Sequence, residues 1–247
     1  NFGGPVAGTT YSWTNNNTAI GLAASGTGSI PSFTTVNNQT SAVTATITVT
    51  PLYTNAGVTC TGAPISFTIT VNPIATVNTV ANQVLCNGAS TAAINFSSPA
   101  TGGTVTYNWT NSAASIGIAA AGTGNIPTFI ATNATTTPIV ATITATPTFT
   151  NGAVSCVGTP MTFTITVNPT ATVNAVANQV LCNGSSTTAI AFTSPNSGGG
   201  GSNVVFNWVN NTPSIGLAAS GTGNIGSFAA TNTSNAPVTA TVIVTPV

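Results

Sequence analysis

An all-β fold built of antiparallel sandwiches is what the sequence predicts, and three observations carry that prediction. The first is self-similarity: residues 81–88 (Ala-Asn-Gln-Val-Leu-Cys-Asn-Gly) recur unchanged at 177–184, a shift of 96 residues. The second is alternation, in which Met161, Phe163, Ile165 and Val167 take turns with Thr162, Thr164, Thr166 and Asn168, the period of a half-buried strand. The third is the absence of any segment that spaces apolar residues as an amphipathic helix does, while Gly and Asn-Gly turn signals punctuate the chain throughout.

The same shift carries Val71-Asn72-Pro73 onto Val167-Asn168-Pro169, Cys60 onto Cys156, Cys86 onto Cys182 and Trp13 onto Trp109. Trp208 follows Trp109 by 99 residues, because the Gly-rich loop 196–203 is three residues longer than its counterpart around Thr101-Gly102-Gly103. Solenoid repeats run to roughly 20–50 residues. A unit of about 96 is long enough to bury a core of its own, so the expected organisation is a string of beads. Proline ends strand pairing, which places the boundaries at the two Val-Asn-Pro sites. The predicted domains are 1–73, a partial repeat without its start; 74–169, a complete repeat; and 170–247, a partial repeat without its end.

Within the complete repeat, short extended runs are predicted at 84–85 and 92–96, followed by longer ones at 105–109, 126–130, 140–146 and 161–168. Asn87-Gly88, Gly102-Gly103, Gly122-Thr123-Gly124 and Asn151-Gly152 supply the turns between them. About seven strands per ~96-residue repeat make this a tandem array of immunoglobulin-like antiparallel β-sandwiches.

Composition bounds the function. The 247 residues contain no Lys, Arg, Asp, Glu or His, where an ordinary soluble domain has about 25% charged residues. Without carboxylate or imidazole the usual general acids and bases are missing, as are hard-metal ligands and phosphate-gripping cations. No enzyme, metal, cofactor or nucleic-acid partner is therefore expected. Apolar residues make up 42% of the chain, enough for cores. No run approaches the about 18 consecutive apolar residues of a membrane helix, so membrane insertion is not expected either.

Several residues still invite a chemical reading. Tyr11/Trp13, Tyr107/Trp109 and Phe206/Trp208 place two aromatics on one strand face. Because Val105 shares that face with Tyr107 and Trp109, Trp13, Trp109 and Trp208 read as core aromatics and not as a sugar platform. Four cysteines with no CxxC pair read as a disulfide framework in an oxidising compartment. Cys86 and Cys156 bracket Trp109, which favours a Cys86–Cys156 bridge worth about 4 kcal/mol by loop closure; the competing pairings are Cys60–Cys86 and Cys156–Cys182. With the first pairing, Cys60 and Cys182 bridge to parts outside the chain or to neighbours. Thr-x-Thr runs such as 44–50 present ranks of methyl and hydroxyl groups, one way to order water on ice or to meet a glycan. Asn-x-Ser/Thr sequons at Asn16, Asn38, Asn95, Asn108, Asn133, Asn183, Asn210 and Asn232 are weak signals in a chain so rich in Asn and Thr. The glycines at 198–201 lack the lysine of a phosphate loop and read as a turn.

The motif string of the middle repeat runs Val-Leu-Cys-Asn-Gly, Tyr-x-Trp-Thr, Ile-Gly-Ile-Ala-Ala-Ala-Gly-Thr-Gly-Asn-Ile-Pro-Thr-Phe, Asn-Gly-Ala-Val-Ser-Cys and Phe-Thr-Ile-Thr-Val-Asn-Pro. It resembles the PKD-like (Ig-like) repeats of large secreted surface proteins of Bacteroidota, in adhesins, gliding-associated proteins and fibre shafts. The resemblance implies export to the cell surface, often by the type IX route, and an early and a late cysteine bridged within each module.

The expected function is structural: an extracellular surface fibre, filament or giant adhesin whose partners are copies of itself or adjacent repeats. The alternative is a carbohydrate- or ice-binding module. A chain of zero net charge tends to associate. The first and last repeats lack complementary parts, so a longer continuing array, or subunits completed head to tail by strand addition, is expected.

Overall fold

The computed structural model describes residues 1–197 and 204–247; the Gly-rich turn read at 198–201 lies outside the described residues. The regular structure of the described residues is almost all β-strand, with three short 3-10 turns and no α-helix among them. None of the helical turns is long and apolar enough to cross a membrane.

The first sheet contains β1 (Thr10–Asn15), β2 (Ser25–Thr27), β3 (Val43–Asn55), β4 (Val58–Thr61) and β5 (Ile65–Val71). Its order is β2-β1-β3, with β4 and β5 successively along the other edge of β3. The second contains β6 (Gln83–Cys86), β7 (Thr104–Asn111), β8 (Ala121–Thr123), β9 (Ile139–Asn151), β10 (Val154–Val157) and β11 (Met161–Asn168), in the order β6-β11-β9-β7-β8 with β10 beside β9. The third has β12 (Phe206–Asn210), β13 (Ser220–Thr222) and β14 (Val242–Pro246), in the order β13-β12-β14. Among the described residues every pairing between these strands is antiparallel except β6 with β11, and the isolated bridges Ser41↔Thr101 and Thr76↔Thr159 are parallel too.

Alternation places the apolar residues of each strand on one face. Ala141, Ile143 and Ala145 of β9 and Phe163, Ile165 and Val167 of β11 meet Trp109, Ile116 and Ile126 in the largest apolar cluster. Separate clusters form around Trp13, Ile20 and Ile47, and around Trp208, Phe192 and Ile225.

The layer opposite each sheet is thin. Runs 92–96 and 126–130 meet at the single bridge Ile94↔Ile126, with Ser90 bridging Ile130 just before the first run, instead of forming the strands the alternation predicts. Side chains capture backbone groups there: the Phe96 N–H donates to Asn125 Oδ1 (2.9 Å), and the Phe129 N–H to Thr91 Oγ1 (3.0 Å). Such local capture competes with a backbone ladder.

The first and second sheets touch through backbone. After β5, Pro73 is fully buried and Ala75 is 0% exposed. The Thr159 N–H donates to the Ala75 carbonyl (2.9 Å), Asn151 Nδ2 donates to Asn72 Oδ1 (3.0 Å), and the Thr101 N–H donates to the Thr40 carbonyl (2.7 Å).

Candidate interaction surface

The structure places Trp13, Trp109 and Trp208 in the cores, at 4%, 7% and 7% exposure. Each faces a glycine on the neighbouring strand: Trp13↔Gly26, Trp109↔Gly122, Trp208↔Gly221. The indole lies over the glycine so closely that a Cβ there would collide with the ring. All three indole N–H groups are buried without an acceptor among the described residues, so these residues act there through packing.

Sequence reasoning missed the buried asparagines beside them. Asn111 Nδ2 donates to the carbonyls of Ile118 and Ala119 (both 3.3 Å) while its Oδ1 accepts from the Ala113 N–H (3.0 Å); Asn15 and Asn210 do the same in their own sheets. The signal was present, an Asn two residues after each Trp, but a sequon count reads Asn as an acceptor for sugar. Asn133 and Asn210, two of those sequons, are buried and committed to internal hydrogen bonds.

The cysteine expectation requires correction. All four thiols, Cys60, Cys86, Cys156 and Cys182, are free. Cys86 sits opposite Asn168, one residue beyond the Val167↔Ile139 pair, whereas Cys156 sits opposite Phe149. Ile139 and Phe149 are ten residues apart on β9, about 33 Å at ~3.3 Å per residue. A disulfide needs Cα atoms within about 7 Å. The two cysteines that bracket Trp109 in sequence occupy opposite ends of one sheet, because β9 and β11 run its full length between them.

The outward faces carry rows of hydroxyls. Thr14, Thr48 and Ser66 lie abreast on three strands, as do Thr110, Thr144 and Thr162. Some of these hydroxyls bond one another, as in Thr48 with Ser66 (3.0 Å) and Thr44 with Thr70 (2.9 Å). Near the start of the chain, Phe2, Tyr11, Pro51, Gly62 and Ile65 line an apolar groove of about 560 Å³. The corresponding place in the middle sheet is occupied, since Gly158 there lies against the Ala75 backbone and the Thr159 N–H donates to its carbonyl.

Edges distinguish the three sheets. In the middle one, β11 is paired on both sides, with β9 and with β6, and Phe163, Ile165 and Val167 are 3%, 0% and 0% exposed. In the first, β5 pairs only with β3 among the described residues, leaving Ile65 65% and Phe67 39% exposed. In the third, among the described residues, β14 pairs only with β12, while 179–182, identical in sequence to β6, pairs with no strand, and Val180 is 98% exposed.

Tyr107 packs on Phe96 with ring centroids 5.6 Å apart, and burial pushes its hydroxyl above the usual tyrosine pKa. No protein-family model matches the chain, and no curated protein does.

Proposed function

We propose that this chain is a stretch of the shaft of an extracellular bacterial surface fibre, filament or giant adhesin, built of tandem Ig-like units of about 96 residues at 1–73, 74–169 and 170–247. It works by holding and associating, not by catalysis, and it belongs with the PKD-like repeats of secreted Bacteroidota surface proteins. The observation that carries this reading is the junction at Pro73. The chain leaving β5 is bonded into the end of the next sheet through Ala75, Thr159, Asn72 and Asn151, a contact suited to transmitting tension between units.

The pairing of β6 with β11 supports the Ig-like reading, because it joins the opening segment of a unit to its closing strand. The lack of any charge supports self-association. The hydroxyl rows favour one second reading, a face for a glycan or for ice.

Electron microscopy of the chain at neutral pH, paired with binding to immobilised glycans and an ice-recrystallisation assay, tests the proposal. Regular filaments without ligand binding are expected. Dispersed particles that bind glycan or arrest ice growth would replace the shaft with the second reading.

A further inference from the structure

Asn-Gly dipeptides occur at 87–88, 151–152 and 183–184. We propose that Asn151-Gly152 is a site of spontaneous deamidation, which places a negative charge in the contact between the first two sheets and loosens it. The inference goes beyond the shaft reading and needs only that contact.

The chemistry is intramolecular. The glycine backbone nitrogen, having lost its proton to solvent base, attacks Cγ of the preceding asparagine. The new C–N bond closes a five-membered succinimide, and Nδ2 leaves as ammonia after taking up a proton from solvent. Water then opens the ring: attack at Cγ gives aspartate, and attack at the backbone carbonyl gives isoaspartate, in which the chain runs through the side-chain carbon. One water is consumed and one ammonia released. No acid or base side chain is required, so the step is open to a chain that has none. Glycine favours it because no Cβ shields the attacking nitrogen.

The structure separates the three sites. At Asn87 every group the reaction needs is held: the Gly88 N–H donates to the Ala131 carbonyl (2.8 Å), Oδ1 accepts from the Asn133 N–H (2.8 Å), and Nδ2 donates to Thr170 Oγ1 (2.9 Å). Asn183 is held in the same way, with the Gly184 N–H on the Ala230 carbonyl (2.8 Å) and Oδ1 accepting from the Asn232 N–H (3.0 Å). A hydrogen-bonded nitrogen keeps its proton, and a side chain tied at its oxygen cannot turn toward it without first breaking that bond. At Asn151 the Gly152 N–H has no acceptor among the described residues, and Gly152 and Ala153 form an exposed turn. Only Nδ2, the leaving group, is engaged, with Asn72 Oδ1 (3.0 Å).

That one bond is what gives the site a consequence. Asn72 immediately precedes the buried Pro73, and the Thr159 N–H donates to the Ala75 carbonyl in the same contact (2.9 Å). Deamidation removes the donor and sets a carboxylate against the Asn72 oxygen, in a chain with no Lys, Arg or His to pair with it. Isoaspartate also lengthens the two-residue turn between the paired Asn151 and Val154, which disturbs the register of β9 and β10.

The first sheet supplies the control. Its counterpart of Asn151-Gly152-Ala153-Val154, 96 residues earlier, is Asn55-Ala56-Gly57-Val58, with Ala56 at a φ of 49° where the middle sheet has Gly152 at 58°. The same hairpin position is thus built with the glycine moved one place away from the asparagine.

The test incubates the full chain in heavy-oxygen water at mildly alkaline pH, folded and in urea, and maps peptic peptides by mass spectrometry. The rate in urea is the reference for each site. Folding should protect Asn87 and Asn183 at least about ten-fold more than Asn151, because their hydrogen bonds must open first. The variant Gly152→Ala with Ala153→Gly, which carries the turn sequence of the first sheet, should fold and take up far less label at Asn151. In chain converted at Asn151, the Thr159 amide should exchange with deuterium faster than in fresh chain. Equal protection of the three sites, or undiminished labelling in the swapped variant, overturns the site. Unchanged exchange at Thr159 overturns the loosening of the contact.

Discussion

At the scale of single residues, the most constrained positions are the three glycines under the tryptophans. Gly122 does not need an unusual backbone angle; it needs the absence of a Cβ, because the Trp109 indole occupies that space. Overpacking of a closed core costs about 1–3 kcal/mol. Gly122→Ala is therefore expected to destabilise the middle unit by that amount, read as a lower denaturation midpoint with an unchanged slope. Gly124→Ala separates packing from strain: nothing stands near its Cβ, but its φ of 68° is one that side chains avoid. Trp109 fluorescence should shift in Gly122→Ala, because the indole must move, and stay in place in Gly124→Ala.

At the scale of elements, β5 and β11 form a natural experiment, with six residues of one sequence in two settings. β11 is sandwiched between β6 and β9, and its apolar face is closed. β5 is an edge strand with Phe67 and Ile65 in solvent. Exchange protection follows local burial and pairing, not sequence. Amide hydrogen exchange followed by mass spectrometry should therefore show 163–168 protected far longer than 67–72. Equal protection of the two strands in the dispersed chain would mean that β5 already has a second partner.

At the scale of the whole molecule, the missing charges dominate. Stability depends on pH only through groups whose proton affinity differs between the folded and unfolded chain. Tyr107 is such a group. Burial raises its pKa in the folded state, so the folded chain holds the proton longer than the unfolded one. The sign follows: this contribution is intact below the unfolded tyrosine value of about 10 and is lost as pH rises beyond it. Melting temperature is expected to stay level between about pH 4 and 9 and then fall, with Tyr107→Phe removing part of the alkaline drop. Raising the salt concentration at neutral pH should change it little, as there are no side-chain ion pairs to screen. A melting temperature that moves by many degrees within the neutral range would contradict this account.

What the sequence determined by itself is whatever rests on local period and side-chain chemistry. Alternation over 161–168 coincides with β11, and Val105, Tyr107 and Trp109 share the face turned to the core. The all-β class follows from the same local rules, because a period of two leaves a strand little choice of which residues to bury. The tertiary structure decided everything that depends on which strands become neighbours. Cys86 and Cys156 bracket a tryptophan in sequence, yet two full-length strands carry them to opposite ends of a sheet. Runs 92–96 and 126–130 alternate well enough for strands, but Thr91 and Asn125 side chains take the hydrogen bonds a ladder would use. The identity of 81–88 with 177–184 was legible as a repeat, and only the packing showed that one copy is paired and the other bare. The physical reason is common to all three: side-chain period acts along the chain, whereas edges, distances and partners are set by contacts between residues far apart in it.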